Sequence, residues 1–334
     1  MVLVNGSKGI GTGFSTEIMC YNPLDIIAYI KCKLRDETSS HIGFMPYYEG
    51  FNGTIIQVSE SKYLFKGRYE HVGADKIRVT ELPVGFWTQD FKEMLEEMTE
   101  STVDKTGKKV APLIRDYDDM SKDTTVDFVV TFPKDRLAEL ESNGSEHGNG
   151  VEKLLKLCST SSTTNMHLFN EKDKLKKYAS VPEIIDDYYK TRLELYGIRK
   201  LHLMDVLDRE LLVLSNKARY IQEILDDTID LRRKRKEQVV EILCSKGYSI
   251  VDGDAEYKYL TKMSMDSVTE ENVAKIMNER DKKAGELEAI KSKPIVVMWE
   301  EELVVLEAEY LKYKSERNVV EVVKSAKKTS TKRK

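Results

Sequence analysis

The sequence predicts a mixed α/β protein: an α/β domain with a small antiparallel sheet, followed by a long antiparallel coiled coil with a small helical globule at its tip. Three observations predict this fold. Between positions 53 and 82, short segments rich in β-branched and aromatic residues alternate with turn residues. Two long helical patterns follow at 182–231 and 269–313, broken by proline only at Pro294. Charged residues make up 33% of the chain, an excess that long solvated helices explain.

The first half of the chain carries local signals of short helices and strands. Asn22 suits an N-cap and Pro23 suits a first helical position, so a helix is predicted over 24–34. Its isoleucines fall on one face at helical spacing. Strands are predicted at 54–58, 62–65, 76–79 and 127–132, and another helix at 88–98. The glycine-rich residues 1–20 are expected to form a loop.

The second half is expected to form a rod. A helix of about 50 residues measures on the order of 75 Å and cannot bury its apolar stripe alone, whereas two antiparallel helices can. The alternative is an ordinary helical bundle. The predicted domains are 1–180, a coiled coil at 181–230 and 269–315, a globule at 231–268, and a basic flexible tail at 316–334. The tail's six Lys or Arg after position 323 suit a nucleic-acid contact, a nuclear import signal or a solubilising end.

Composition excludes several classes of protein. The net charge is −4, so no global basic field indicates a nucleic-acid partner, and such a role must rest on local patches. The four cysteines are scattered, without a CxxC pair, which indicates a reducing compartment. No charged segment leads into an apolar run near the N-terminus, and no stretch approaches about 18 apolar residues. Neither a signal peptide nor a membrane span is therefore predicted.

The sharpest local motif is VNGSKGIGTGFS at 4–15. Its glycines suggest backbone N–H groups that could hold phosphate, but the spacing fits neither a P-loop nor a dinucleotide fingerprint. A glycine-loop nucleotide-binding enzyme is therefore a weak rival. Ile10 stands between two glycines, and an apolar side chain on a bare backbone has the shape of a wedge for a DNA base step. Without further context, an isoleucine buried under a turn is the favoured explanation of the motif.

Several further motifs supply that context. They are YNPLDII at 21–27, FNGTI at 51–55, ELPVGFWTQ at 81–89, DTTV at 123–126, KKY at 176–178 and RLELYGIRK at 192–200. Together with 4–15, they resemble eukaryotic-type DNA topoisomerase II, a type IIA enzyme, in the order found there and over nearly the whole chain. The resemblance makes 1–180 the DNA-bending tower domain and 231–268 the globule of the exit gate.

The resemblance also implies roles for individual residues. Ile10 would intercalate into and bend the gate DNA, with Lys8 beside it. Trp87 would contact DNA, although a lone tryptophan beside a sheet is usually core. The polar segment 156–165 would be a loop that positions phosphates, the alternative being a solvated loop. Its expected DNA-binding residues are Lys156, Ser159, Thr160, Ser161, Ser162, Thr163, Thr164 and Asn165.

In the family, two exit-gate globules meet across a twofold axis, so the resemblance implies a homodimer. Tyr248, Tyr257 and Tyr259 are the candidate contact residues of this gate. The basic run at 232–236 either lines the path of the departing duplex or forms a solvated face.

The parts of the family that carry its chemistry are not found in this sequence. The resemblance places the nucleophilic tyrosine, the ATPase domain and the metal-binding domain upstream, so ATP and Mg²⁺ belong to the complete enzyme, and no catalytic, cofactor or metal residue is expected here. Two Arg-Tyr pairs, ending in Tyr69 and Tyr220, are expected to be unrelated to cleavage. The acidic run at 116–119 is expected to be tower surface, with a metal site as the minor alternative. The five histidines show no ligand spacing.

We therefore predict part of a type IIA topoisomerase that binds and bends gate DNA and forms the dimeric exit gate, inactive alone. Its expected partners are double-stranded DNA, a second copy and the upstream topoisomerase domains, in cis or as a separate chain. We expect a piece of a longer protein or a split-gene product, located in the nucleus or at a cytoplasmic replication site if viral. The rival from another class is a non-enzymatic coiled-coil scaffold or a DNA-binding fragment without strand passage.

Overall fold

The computed structural model describes residues 1–37, 43–100, 111–144, 148–231, 234–263 and 270–331, with side chains described as far as 317 in the last helix. The chain divides into two compact units, Met1–Asp187 and Tyr188–Lys334. The division falls inside the long helix α6 (Val181–Leu225), close to the domain boundary predicted at 180. Within the described residues, no helix is long and apolar enough to cross a membrane.

The first unit mixes short helices with short strands. Its helices are α1 (Val2–Asn5), α2 (Pro23–Leu34), α3 (Thr88–Thr99), α4 (Arg136–Ser142) and α5 (Gly150–Leu154). Its strands are β1 (Ser7–Gly11), β2 (Phe14–Ile18), β3 (Thr54–Ser59), β4 (Lys62–Lys66), β5 (Arg68–Gly73), β6 (Lys76–Glu81), β7 (Asp116–Asp119), β8 (Phe128–Thr131), β9 (Cys158–Ser162), β10 (Met166–Phe169) and β11 (Leu175–Tyr178). The predicted mixed α/β class is confirmed.

The strands form small antiparallel sheets. A four-stranded sheet has the order β5-β6-β8-β7 and a three-stranded sheet the order β3-β4-β9. The pairs β1-β2 and β10-β11 are separate hairpins. Sequence patterns predicted one small sheet from neighbouring segments. The pairing of β9 with β4 joins segments far apart in the chain, which no local pattern reveals.

The main core of this unit lies at the four-stranded sheet. Ile77, Val79, Phe128 and Val130 from the sheet are fully buried with Phe91 of α3. The Phe91 and Phe128 rings meet edge to face, with centroids 5.0 Å apart. Burying each such side chain stabilises the fold by about 1.5–3 kcal/mol, and this core fixes α3 and the strands that carry the surface residues.

Helix α2 forms where its capping residues predict it. The Asn22 side chain accepts a hydrogen bond from the backbone N–H of Leu24 at 3.1 Å, and Pro23 occupies the first turn. The expected loop at 1–20 is wrong, because those residues form α1 and the β1-β2 hairpin. Glycine has low strand propensity, but cross-strand backbone pairing overrides it here.

The second unit is helical. It contains α6 from Tyr188 onward, α7 (Lys236–Ser245), α8 (Lys258–Thr261), α9 (Glu270–Ser292) and α10 (Ile295–Thr331). Helix α10 therefore extends through most of the segment predicted as a flexible tail, where its side chains lie outside the described residues. The basic run at 232–236 is described only from Lys234 onward.

The long helices of this unit run antiparallel. Arg199 of α6 pairs with Glu302 at 2.7 Å, whereas Glu210, farther along α6, pairs with Lys283 at 3.0 Å. The partner number falls as the α6 number rises, which confirms the predicted antiparallel pairing. Pro294 separates α9 from α10, because proline lacks the N–H that would continue the helix. Lys200 donates to the backbone oxygen of Lys293 at this break, at 2.8 Å.

An aromatic clamp joins α6 to α10. We use this name for Trp299 together with Tyr188, Tyr189 and Tyr196. The Trp299 ring stacks between those of Tyr189 and Tyr196, at 5.3 Å from each, and meets Tyr188 edge-on. Trp299 is only 3% exposed. The clamp therefore fixes the register of the two helices at this point.

Candidate nucleic-acid interface

Ile10 projects from the β1-β2 hairpin into solvent. It pairs with Ser15 in the hairpin register, and its side chain is 93% exposed. The connecting turn is Thr12-Gly13, and Gly13 adopts φ +88°, a conformation that favours glycine. The alternative of an isoleucine buried under a turn is therefore excluded.

The glycines beside Ile10 differ in what surrounds them. A Cβ placed on Gly11 would lie 3.0 Å from the Phe14 ring, so a larger residue here would push against that ring. A Cβ on Gly9 would meet nothing within 4 Å. The chain itself therefore gives no steric reason for Gly9, and its bare backbone leaves room for an external surface beside Ile10.

Lys8 lies across the hairpin from Glu17. Its ammonium contacts Glu17 Oε1 at 3.2 Å, and the Ser161 hydroxyl donates to the same oxygen at 3.1 Å. Lys8 and Ser161, which are both expected to bind DNA, therefore contact the same oxygen of Glu17. Sequence reasoning missed Glu17, although the Thr12-Gly13 turn predicts that it faces Lys8 once the hairpin is recognised.

The polar segment 156–165 is not simply a loop. Residues 158–162 form β9, an edge strand paired with β4, so the loop prediction is corrected for this part. Strand alternation places the Ser159 and Ser161 side chains on one face of the sheet and those of Thr160 and Ser162 on the other. Lys156 is exposed and precedes β9 with a positive φ of +50°.

The end of this segment lies against the Ile10 hairpin. The Asn165 side chain donates to Ser15 Oγ at 2.9 Å, and its backbone oxygen accepts from the Glu17 N–H at 2.8 Å. Thr163 N–H donates to the Ser61 backbone oxygen at 2.9 Å. The hydroxyls of Ser162 and Thr164 lie 3.0 Å apart.

A groove of about 440 Å³ collects several of these groups. Lys8 and residues 159–161 line it, together with residues 84–85, the Glu17 carboxylate and the rings of Tyr48 and Phe65. Ser159 Oγ donates to the Val84 backbone oxygen at 3.3 Å, which ties β9 to this loop. An ammonium, hydroxyls and a glycine backbone are groups that contact phosphates without reading base sequence.

Trp87 stands at the surface at the N-terminus of α3. Its indole is 72% exposed, while the neighbouring Phe86 packs edge-on against the buried Phe91 at 5.9 Å. The alternative that Trp87 is part of the core is therefore wrong. Trp87 follows the 84–85 loop by two residues, but it does not line the groove.

The three tyrosines expected at the dimer gate are mostly inside the globule. Tyr248 and Tyr257 are buried in its core with Leu243, and the Tyr257 hydroxyl donates to the Tyr248 backbone oxygen at 3.2 Å. Tyr259 is half-buried, and its hydroxyl donates to the Ser249 backbone oxygen at 2.7 Å. The choice of Tyr248 and Tyr257 as surface contacts is corrected, because their rings hold the globule together. Ile250, on the same loop, is exposed.

Both tyrosines of the Arg-Tyr pairs are at least partly buried. Tyr220 is buried in the globule core, and this burial raises its pKa. Burial likewise raises the pKa of Tyr69, whose hydroxyl accepts from the Asn149 amide at 2.6 Å. A raised pKa leaves less of the phenolate that attacks phosphorus.

The acidic run at 116–119 is strand β7, paired with β8. Side chains alternate between the two faces of a strand, so Asp116 and Asp118 lie on one face and Asp119 on the other. In the part of the chain that the structure describes, no group of three or more His, Cys, Asp or Glu is placed to hold a metal ion. His41 and His147 lie outside the described residues.

Comparison with known proteins identifies the family of this chain. The family model for the A-type subunit of DNA gyrase/topoisomerase IV matches residues 1–332. DNA topoisomerase 2-alpha of Gallus gallus is 33% identical over 329 residues, which cover 91% of this chain and 20% of the relative. Human DNA topoisomerase 2-beta is 30% identical over 347 residues, covering 95% and 21%. This chain therefore spans about a fifth of the length of these relatives.

A solved structure agrees with this assignment. The crystal structure of the Plasmodium falciparum topoisomerase II DNA-binding, cleavage and re-ligation domain superposes with a TM-score of 0.82 at 31% identity. The match covers 96% of this chain and 45% of that one. The protein therefore belongs to the type IIA DNA topoisomerase family and corresponds to a segment of the cleavage core of the eukaryotic enzymes.

Proposed function

We propose that this chain binds duplex DNA and bends it by inserting Ile10 into a base step, as part of a type IIA topoisomerase that passes one duplex through another. The observation that carries the proposal is the nearly complete exposure of Ile10 on a hairpin whose turn fixes its backbone. Exposing a large aliphatic side chain to water is unfavourable, and a base step would bury it.

The groups near the hairpin support a phosphate-binding role. Lys8 and the β9 hydroxyls line one groove, and Trp87 lies exposed two residues from the loop at its edge. Residues 162–165 extend this polar surface toward the hairpin, and Lys156 lies exposed at the other end of β9. Such contacts hold and orient a duplex, while the wedge supplies the bend.

The remaining functions of the complete enzyme are part of the same proposal. Strand cleavage requires a nucleophilic tyrosine, Mg²⁺ and ATP hydrolysis, which upstream topoisomerase domains would supply in cis or as a separate chain. The second unit would form a dimeric exit gate with a second copy, through the exposed Ile250 surface of the globule rather than through its buried tyrosines. The complete enzyme would act in the nucleus or, if viral, at a cytoplasmic replication site.

The test is energy transfer between dyes at the two ends of a short duplex titrated with this chain. Ile10→Ala removes three carbon atoms, each worth about 0.8 kcal/mol when buried, or about 2.4 kcal/mol in all. The ratio of bent to straight complex should therefore fall about 50-fold. DNA affinity should fall less, because the phosphate contacts remain.

Ile56→Ala provides the matched control, since Ile56 is also exposed but lies on β3. It should leave the bend unchanged. Equal energy transfer for wild type and Ile10→Ala would refute the wedge. A scaffold without a DNA role would show almost no dependence of binding on salt, whereas phosphate contacts give a steep one.

A further inference from the structure

A second hairpin lies against the one that carries Ile10. Strands β10 and β11 form it, and its first strand adjoins β2. The His167 N–H donates to Thr16 Oγ1 at 3.3 Å, and the Asn165 backbone oxygen accepts from Glu17. The Ile10 hairpin is therefore attached to the rest of its unit along β2.

An aromatic contact extends this support toward the tip. Phe169, the last residue of β10, meets Phe14 edge-on, with ring centroids 6.0 Å apart and planes at 87°. Phe14 in turn lies across Gly11, the residue after Ile10. Neighbouring residues of a strand point to opposite faces, so Phe14 supports the hairpin on the face opposite Ile10.

The exposure of Phe169 distinguishes this contact from ordinary core packing. Its ring is 59% exposed, and Leu175, its cross-strand partner, is exposed as well. A side chain so exposed contributes little to the buried core. Its contact with Phe14 instead restrains the turn, and a two-stranded hairpin is only marginally stable in water without such packing.

We propose that Phe169 is a positioning residue for DNA bending: it braces the Ile10 hairpin through Phe14 when the wedge enters a base step. This inference rests on the proposed wedge function of Ile10. Opening a base step opposes insertion, and a hairpin free to tilt would move Ile10 away instead of separating the bases. A braced hairpin avoids that movement because its geometry is set before DNA binds.

The experiment measures the bend of the doubly labelled duplex with the full chain carrying Phe169→Ala. An edge-to-face aromatic pair is worth roughly a two- to tenfold change in an equilibrium, so the ratio of bent to straight complex should fall by that factor. Affinity for DNA and the melting temperature should stay close to wild type, because the ring is mostly exposed. Phe169→Tyr keeps the ring and should restore the bend.

Two further variants separate the possible outcomes. Tyr188→Ala removes another exposed aromatic side chain with an edge-on contact, in the second unit, and should not change the bend. In an Ile10→Ala background, Phe169→Ala should cause no additional loss, because no wedge remains to be positioned.

A normal bend with Phe169→Ala, while Ile10→Ala abolishes it, would overturn the brace and leave the wedge intact. An additive loss in the double variant would also overturn it, since Phe169 would then act independently of Ile10. A normal bend with Ile10→Ala would instead overturn the proposed function itself.

Discussion

Removing the Trp299 ring should destabilise the helical unit more than any surface change in it. Trp299→Ala deletes a side chain that is almost fully buried and stacked on both faces. Truncating a buried tryptophan costs about 3–5 kcal/mol. Two stacked aromatic contacts, at about 0.5–1.5 kcal/mol each, are part of that loss.

Thermal unfolding followed by circular dichroism measures the effect, because the long helices of the second unit dominate the helical signal. A loss of this size should lower the melting temperature of the unit by about 10 °C. The matched control is Val305→Ala on the same helix, where the side chain is exposed. The control should lie within about 0.5 kcal/mol of wild type.

Trp299→Phe tests whether stacking or volume matters. The smaller ring keeps an aromatic face toward Tyr189 and Tyr196, so it should recover part of the lost stability. A Trp299→Ala melting temperature no lower than that of Val305→Ala would refute the clamp, since the antiparallel pairing would then not depend on this ring.

Three other predictions follow from the contacts around single residues. Burial opposes the ionisation of Glu302, but hydrogen bonds from Tyr196 and Arg199 lower its pKa below the ordinary 4.5. The stability that the Glu302 carboxylate contributes is therefore complete above pH 4.5 and is lost as the pH falls below that value. Glu302→Gln should make the melting temperature less dependent on pH in this acidic range. Glu17→Gln should increase DNA affinity by releasing Lys8, as fluorescence anisotropy would detect. Ile250→Asp should weaken self-association in sedimentation velocity without unfolding the globule.

Each of these predictions has its own contrary result. An unchanged pH profile for Glu302→Gln would assign the acid sensitivity to other carboxylates. If Glu17→Gln raised DNA affinity equally in a Lys8→Met background, the gain would reflect only the loss of a negative charge. Self-association unaffected by Ile250→Asp would place the exit-gate contact elsewhere on the globule.

Helix positions were predictable because their signals are local. Asn22 and Pro23 specify the start of α2, and Pro294 specifies the break between α9 and α10. The long apolar periodicity of α6 distinguished it from strands without reference to any partner. The antiparallel arrangement also followed, because neither long helix can bury its stripe alone.

The β1-β2 hairpin and strand β9 were not predictable from such local signals. Glycines make β1 a poor strand by propensity, and its pairing with β2 depends on the Thr12-Gly13 turn, whose residues are equally typical of a loop. Strand β9 is defined by hydrogen bonds to β4, nearly a hundred residues earlier. Tertiary pairing of this kind cannot be derived from a serine- and threonine-rich segment considered alone.

The burial of two of the three gate tyrosines, Tyr248 and Tyr257, could not be predicted for a related reason. Tyrosine has an apolar ring and a polar hydroxyl, so it suits an interface and a small core equally well. The globule is small, and Tyr257 satisfies its hydroxyl on a backbone oxygen within it. Local sequence does not show whether a tyrosine lies in the core or at an interface, because this depends on how many other apolar side chains the globule has to fill its core.

Solvent exposure distinguishes large side chains that hold the fold together from those that remain at the surface, as the two tryptophans illustrate. Trp299 is buried where it joins two helices, whereas Trp87, the other tryptophan of the chain, is exposed to solvent. Single exposed apolar residues are common and by themselves indicate nothing. Ile10 lies on a hairpin and Trp87 at the start of a helix, and the Ile10 hairpin also borders a groove lined by the Lys8 ammonium, the Glu17 carboxylate and the hydroxyl-bearing residues 159–161. Under the proposed function this exposure serves a duplex, because an apolar side chain can enter a base step while an ammonium and hydroxyls contact phosphates.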